Sequence, residues 1–159
     1  MGYVEDLRGL IGNRPVILVG AVAIIMDNEN RVLLQKRKAS AGQWGIPGGL
    51  MELGETTEET AKREVFEETG LSISNLELID VFSGPEYFTA APNGDEFYSV
   101  TVAYFTKDFN GELVVDPVES LGFEFHEISN LPDNMNKSHL KILRRFMEIK
   151  QSILKSIAT

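Results

Sequence analysis

Residues 49–71 read GLMELGETTEETAKREVFEETGL, and this stretch decides how the rest of the chain is read. Thr56 with Glu59 three residues on is a capping box, and Gly70 stands where a left-handed residue closes a helix. A helix is therefore predicted from about Thr57 to Thr69. Seven Glu against Lys62 and Arg63 give the stretch −5, more than half of the chain's net charge of −9. At about 100° per residue, Glu64, Glu67 and Glu68 fall at i, i+3 and i+4 in one narrow sector, shared with Thr57 and Thr60. Each like-charge pair costs a helix roughly 0.2–0.5 kcal/mol, and no Lys or Arg lies four residues on to relieve it. An acidic helix is most often a solvated face, but this arrangement concentrates repulsion that a divalent cation would remove. Hard oxygen ligands suit Mg²⁺, with Mn²⁺ as the alternative. Ala61 and Val65 lie beside the acidic sector and are placed to dock the helix on a sheet.

Ahead of the helix, Pro47-Gly48-Gly49 lets backbone pass close to a ligand, and a carbonyl from such a turn can join carboxylates around a metal. Loop and helix together make a half-cage of oxygens. Mg²⁺ usually completes its shell with waters and phosphate oxygens, so the implied substrate carries phosphates, most simply a diphosphate. Lys36, Arg37 and Lys38 precede the loop and could meet those phosphates; strand alternation turns Arg37 opposite to its neighbours. Trp44 reads as packing beneath the glycine loop.

Further out, Tyr3–Gly12 shows helical spacing through Val4, Leu7, Leu10 and Ile11. Val16–Asp27 is a long Val/Ile-rich strand, Asp27–Asn30 a turn and Val32–Arg37 a second strand, which predicts a hairpin. Ala39–Gly49 reads as loop. Leu76–Ser83 and Phe97–Thr106 read as strands, with Gly84–Gly94 between them as a long loop or irregular hairpin. Val114-Val115 and Phe123–His126 are weaker strand signals. An amphipathic C-terminal helix spans about 138–157. One helix in mid-chain among dominant strands indicates a single α/β or α+β domain with a mixed sheet.

The chain has 159 residues, 43% hydrophobic and 25% charged, which suits one globular core. Absence of cysteine excludes disulfides, thiolate metal sites and a cysteine nucleophile. Residues 137–159 carry six Lys/Arg against Glu148, leaving −14 on the first 136. That acidic body argues against binding duplex nucleic acid. The longest apolar run, Val16–Met26, is too short to cross a bilayer, and no leader pattern precedes it. A soluble, cytoplasmic protein with no membrane partner is the expectation. The apolar stripe of the last helix needs cover, which makes a homodimer a further expectation.

Gly49, Glu55 and the run Arg63-Glu64-Val65-Phe66-Glu67-Glu68-Thr69-Gly70-Leu71 resemble a complete Nudix box, Gx5Ex7REUxEExGU with U apolar, at every specified position. Trp44…Pro47-Gly48-Gly49 ahead of it and Glu-Ile-Ser-Asn-Leu-Pro at 127–132 extend the resemblance to Nudix hydrolases. The resemblance implies an α/β/α sandwich around a mixed sheet and hydrolysis of a nucleoside diphosphate linked to another moiety. ADP-ribose or a related nucleotide sugar is the first expected substrate and a modified nucleoside triphosphate the second. Carried over by position, Glu64, Glu67 and Glu68 would be metal ligands with the Gly48 carbonyl, and Arg63 and Glu55 would pair to hold loop against helix.

The expected mechanism is attack of a metal-activated water on phosphorus, which needs no nucleophilic side chain. Glu64 is the first choice for assisting deprotonation of water, with Glu119 the distal candidate because Asp116–Gly122 could reach the metals. Arg37, Tyr87 and Phe88 are the candidate substrate contacts; the other aromatic residues read as core. His126 and His139 are isolated and form no metal set. The alternative function is a non-catalytic nucleotide sensor on the same fold, which the intact box disfavours.

Overall fold

The computed structural model describes residues 2–158. In chain order the elements are α1 (Tyr3–Ile11), β1 (Val16–Ile25), β2 (Arg31–Arg37), β3 (Trp44–Gly45), β4 (Gly48–Leu50), α2 (Thr57–Thr69), β5 (Ser72–Ser74), β6 (Glu77–Phe82), β7 (Phe88–Ala90), β8 (Glu96–Thr106), β9 (Asp108–Asn110), β10 (Ser120–Glu127) and α3 (Lys137–Ile157). Short 3₁₀ turns cover Pro85–Tyr87 and Ile128–Asn130.

β1 is the organising strand. It runs parallel to β8 from Val16 opposite Phe97 to Ile25 opposite Thr106, and antiparallel to β4 on its other edge. β6 and β7 add to β8, completing a mixed five-stranded sheet. Alternation along β1 explains why its sequence is apolar without a break. Ala21, Ala23 and Ile25 pack on one side with Ala61 and Val65 of α2, while Val22 and Ile24 pack on the other with Ile142, Leu143 and Phe146 of α3. From Gly20 on the strand is covered on both faces and has no solvent side on which to place polar residues, whereas Ile17 before it is exposed. The result is a helix, sheet, helix sandwich with a mixed sheet.

The turn at Asp27–Asn30 forms, closed by the Asp27 N–H donating to the Arg31 carbonyl at 3.0 Å. The predicted hairpin does not extend from it. Among the described residues, the pairing of these two strands is confined to the Met26–Val32 bridge; β2 then joins β10 and β3 in a second sheet. The reason is competition: β1 finds a ten-residue parallel partner in β8, and β2 an antiparallel one in β10. The segment read as loop at Ala39–Gly49 contains β3 and β4. Val114-Val115 lies outside the strands; the Val114 N–H caps the end of α2 by donating to the Thr69 carbonyl at 2.9 Å. β5 and β9, too short to show a period, pair with each other. Among the described residues no helix is long and apolar enough to cross a membrane.

Candidate active site

Helix α2 begins as its capping box requires, with Thr56 Oγ1 accepting from the Glu59 N–H and Glu59 Oε2 accepting from the Thr56 N–H. Gly70 closes it in the left-handed conformation at φ 76°. With Ala61 and Val65 pressed into the sheet, Glu64 and Glu68 are turned along the sheet edge toward β4. Gly48 and Gly49 make that approach possible. A Cβ on Gly49 would collide with the Glu64 carboxylate, and one on Gly48, whose φ is +153°, would collide with the Ala21 carbonyl.

Arg63 braces the loop to the helix. Its Nε and Nη2 donate to Glu55, Nη2 also donates to the Leu50 carbonyl at 3.0 Å, and Nη1 donates to Glu64 at 2.8 Å and Glu67 at 3.2 Å. Glu55 accepts further bonds from Thr60 Oγ1 and the Glu52 N–H, both at 2.9 Å. These donors, Arg63 first, hold the Glu55 carboxyl down at about 2. Glu68 has the opposite environment. Only 6% exposed, it accepts the Gly48 N–H at 3.0 Å, and burial with repulsion from Glu64 and Glu119 pushes its carboxyl up to about 7. Burial also raises Glu64, with Glu67 and Glu119 adding to the effect.

Glu64, Glu68 and Glu119 line one cleft of about 350 Å³ together with Gln35, Arg37, Gly48 and Gly49. Glu119 is carried there by its loop, whose end is tied to the strands by the Lys38 N–H donating to the Glu119 carbonyl at 3.0 Å. Glu67 is absent from that lining and instead lines a neighbouring pocket with Glu64 and Glu119, 57% exposed at its side chain and held by Arg63. As the side chains lie, no group of three acidic or histidine residues among the described residues is close enough to hold a metal ion. The donor set nonetheless fits one: Glu64 and Glu68, raised first by burial and further by repulsion that includes Glu119, share a cleft with it, and the buried Gln35 Oε1 in the same lining is an acceptor without a partner.

Arg37, Gly48 and Gly49 also line a second pocket of about 280 Å³, so the two cavities meet at Arg37. Arg37 donates from Nη2 to the Ile46 carbonyl at 3.2 Å, while its buried Nε has no partner. Its neighbours are elsewhere: Lys36 lies over the Trp44 ring, and Lys38 Nζ donates to the Pro117 carbonyl. The second pocket has walls from Phe82, Tyr87, Phe97 and Ile142, with Ser99, Thr101, Asn136 and His139 among its polar groups. Tyr87 thus belongs to it, whereas Phe88 is absent from its lining and instead packs on Tyr98 with ring centroids 5.1 Å apart. Phe97, read as core, is a wall of the pocket. Trp44 packs edge-on against His126 at 5.1 Å. The sequence reading does not single out Asn136 and gives His139 only as isolated, because what they face is set by residues some hundred positions earlier.

A family model described as NUDIX domain matches residues 17–146. A protein of Methanocaldococcus jannaschii named ADP-ribose pyrophosphatase is 34% identical over 134 residues, covering 82% of this chain and 75% of that protein. A Vibrio atlanticus protein named NAD-capped RNA hydrolase NudC is 31% identical over 114 residues, 70% of this chain and 38% of its own length. Among solved structures, a MutT NUDIX hydrolase from Burkholderia pseudomallei superposes with a TM-score of 0.70 at 29% identity, covering 82% of this chain and 98% of that one.

Proposed function

The chain belongs to the NUDIX family, whose matching members are named as pyrophosphatases and hydrolases, and from that premise we propose a Mg²⁺-dependent pyrophosphohydrolase. Its substrate is a nucleoside diphosphate linked to another moiety: ADP-ribose or another nucleotide sugar first, a modified nucleoside triphosphate second. The observation that carries this reading is a pair of adjoining cavities that share Arg37, Gly48 and Gly49 in their walls. Three carboxylates line one, aromatic side chains wall the other, and Arg37 lines both.

Glu64, Glu67 and Glu68, with the Gly48 carbonyl, would hold the cation. Bound magnesium supplies neutralising charge for the diphosphate and acidifies water beside it. The protein's own groups do the remainder. Arg63, anchored by Glu55, fixes where Glu64 and Glu67 stand, so little reorganisation is needed at the moment of reaction. Arg37, which lines both cavities, donates from its guanidinium to the diphosphate where they adjoin. Glu64 takes the proton from the attacking water, with Glu119 across the cleft as the alternative acceptor. Water adds to one phosphorus in line with the bridging oxygen, that P–O bond breaks, and the released oxygen leaves as a phosphate ester.

The test is turnover of a panel of nucleotide diphosphate derivatives with and without Mg²⁺, products being separated by chromatography. Nucleoside monophosphate with a sugar phosphate supports the nucleotide-sugar arm, and pyrophosphate release supports the triphosphate arm. Binding without turnover across the panel would overturn the enzyme in favour of a sensor.

A further inference from the structure

Helix α1 lies outside residues 17–146, so the family match does not account for it. Packing does not account for it either: none of its residues is buried, and Leu10 is 86% exposed. Polar bonds hold it, and they sit toward its two ends. Toward the C-terminal end the Arg8 guanidinium donates to the carbonyls of Gly12 at 3.1 Å, Arg14 at 2.8 Å and Glu96 at 2.8 Å, and lies 3.6 Å from the Asp95 carboxylate. Those bonds tie the helix to the start of β8, one residue before Phe97 of the aromatic pocket. At the N-terminal end Glu52 Oε2 accepts the Tyr3 N–H at 2.8 Å. A carboxylate there satisfies one of the four N–H groups that a first helical turn leaves unpaired, and it meets the positive end of the helix dipole. Gly2 lies close over it, since a Cβ on Gly2 would stand 2.6 Å from Glu52 Oε1.

Glu52 is also part of the loop that carries Glu55. Its N–H donates to Glu55 Oε2 at 2.9 Å, and its carbonyl accepts the Glu55 N–H at 3.3 Å. The same Glu55 carboxylate receives Arg63, whose Nη1 fixes Glu64 and Glu67. Every step from Tyr3 to Glu64 is therefore a hydrogen bond or the span of one residue, and Gly2, Glu52, Arg63, Glu64 and Glu67 line one cavity of about 530 Å³. We propose that α1 is a strap holding the loop at 51–55 in its working position, and that Glu52 is the positioning residue through which it acts. This rests on the pyrophosphohydrolase reading above and adds to that site a support supplied from outside the family match. The loop needs one. It leaves the sheet after the Met51 N–H bonds the Val19 carbonyl at 2.9 Å, and Leu53 beyond is 78% exposed. Arg63 can keep Glu64 and Glu67 still only if Glu55 is itself held, and displacement of a supporting group by about 1 Å is enough to slow chemistry severely.

The test uses the full chain carrying Glu52→Ala or Glu52→Gln; Gln keeps an acceptor for the Tyr3 N–H, and Ala has none. Arg63 reports on the loop without any turnover. Its Nε–H, bonded to Glu55, gives a ¹⁵N resonance whose exchange with water should be about tenfold faster in Glu52→Ala than in the parent, with Glu52→Gln close to the parent. With Mg²⁺ and the best substrate of the panel, Glu52→Ala should lower kcat about tenfold, as loss of a supporting group does, with KM within about twofold of the parent and most of the rate recovered in Glu52→Gln. Arg8→Met releases the other end of the strap and should shift the Arg63 signal and kcat in the same direction; it decides the matter if Glu52→Ala does not fold. An unchanged Arg63 signal in a folded Glu52→Ala would overturn the proposal, as would a folded Arg8→Met that behaves as the parent. Glu52→Gln as slow as Glu52→Ala would overturn it too, because the charge and not the tether would then matter. Faster exchange at Arg63 in a protein with no Mg²⁺-dependent turnover of any nucleotide diphosphate derivative would sink the pyrophosphohydrolase and leave the strap standing; turnover by the parent with an Arg63 signal indifferent to Glu52 would do the reverse.

Discussion

Replacing Glu68 by Gln separates a carboxylate retained for chemistry from one retained for structure, because the two roles predict opposite signs for stability. Gln keeps the acceptor for the Gly48 N–H and nearly the same volume. What it removes is a buried charge whose carboxyl is pushed from 4.5 to about 7. A raised acid binds its proton more tightly in the folded protein, so folding stability falls as pH rises from about 4.5 through about 7 and stays reduced above that. A displacement of that size corresponds to an upper bound of about 3 kcal/mol at pH 8.5, and relaxation around the site leaves about 1–3 kcal/mol. Urea unfolding in EDTA at pH 8.5 should therefore find Glu68→Gln more stable than the parent by that amount, with the gap closing as pH approaches 4.5. Saturating Mg²⁺ should narrow the gap by stabilising the parent, by about 2.7 kcal/mol at a hundredfold excess over its dissociation constant. Turnover should fall at least a hundredfold. A variant less stable than its parent at pH 8.5 without metal would refute the reasoning, since Glu68 would then be a net structural contributor.

Arg63→Met should destabilise the protein by about 1–2 kcal/mol at pH 7, discounted for the partial exposure of the pair. Glu55, held at about 2, contributes above its unfolded value near 4.5 and loses that contribution as pH falls toward 2, so the difference between parent and variant should shrink over that window in urea titrations. Gly49→Ala should lower Mg²⁺-dependent turnover about tenfold or more while moving the unfolding free energy by under about 1 kcal/mol, because the added carbon displaces the Glu64 carboxylate rather than core. Leu143→Ala, at a fully buried position of α3, should cost about 2–5 kcal/mol in the same measurement with turnover per folded molecule retained.

What the amino-acid order determined alone is local. Caps at Thr56 and Gly70, the acidic sector at Glu64, Glu67 and Glu68, and the Glu55–Arg63 brace join residues within about two helical turns of each other, where spacing and chirality leave few geometries. The apolar character of Val16–Ile25 likewise marked a long strand, while its cover by a helix on each face is a fact of the tertiary structure. Tertiary structure decided which strands pair and what the cavity can recognise. The Asp27–Asn30 turn is legible, yet β1 and β2 part into different sheets, because each gains a long partner from a distant segment. The pocket is assembled from positions near 20, 37, 87, 97 and 139, so Tyr87 and Phe97 become walls while Phe88 does not. The tautomer of His139 is set by the Ile46 N–H, 93 positions away, and a side chain's chemistry depends on neighbours that only long-range packing supplies.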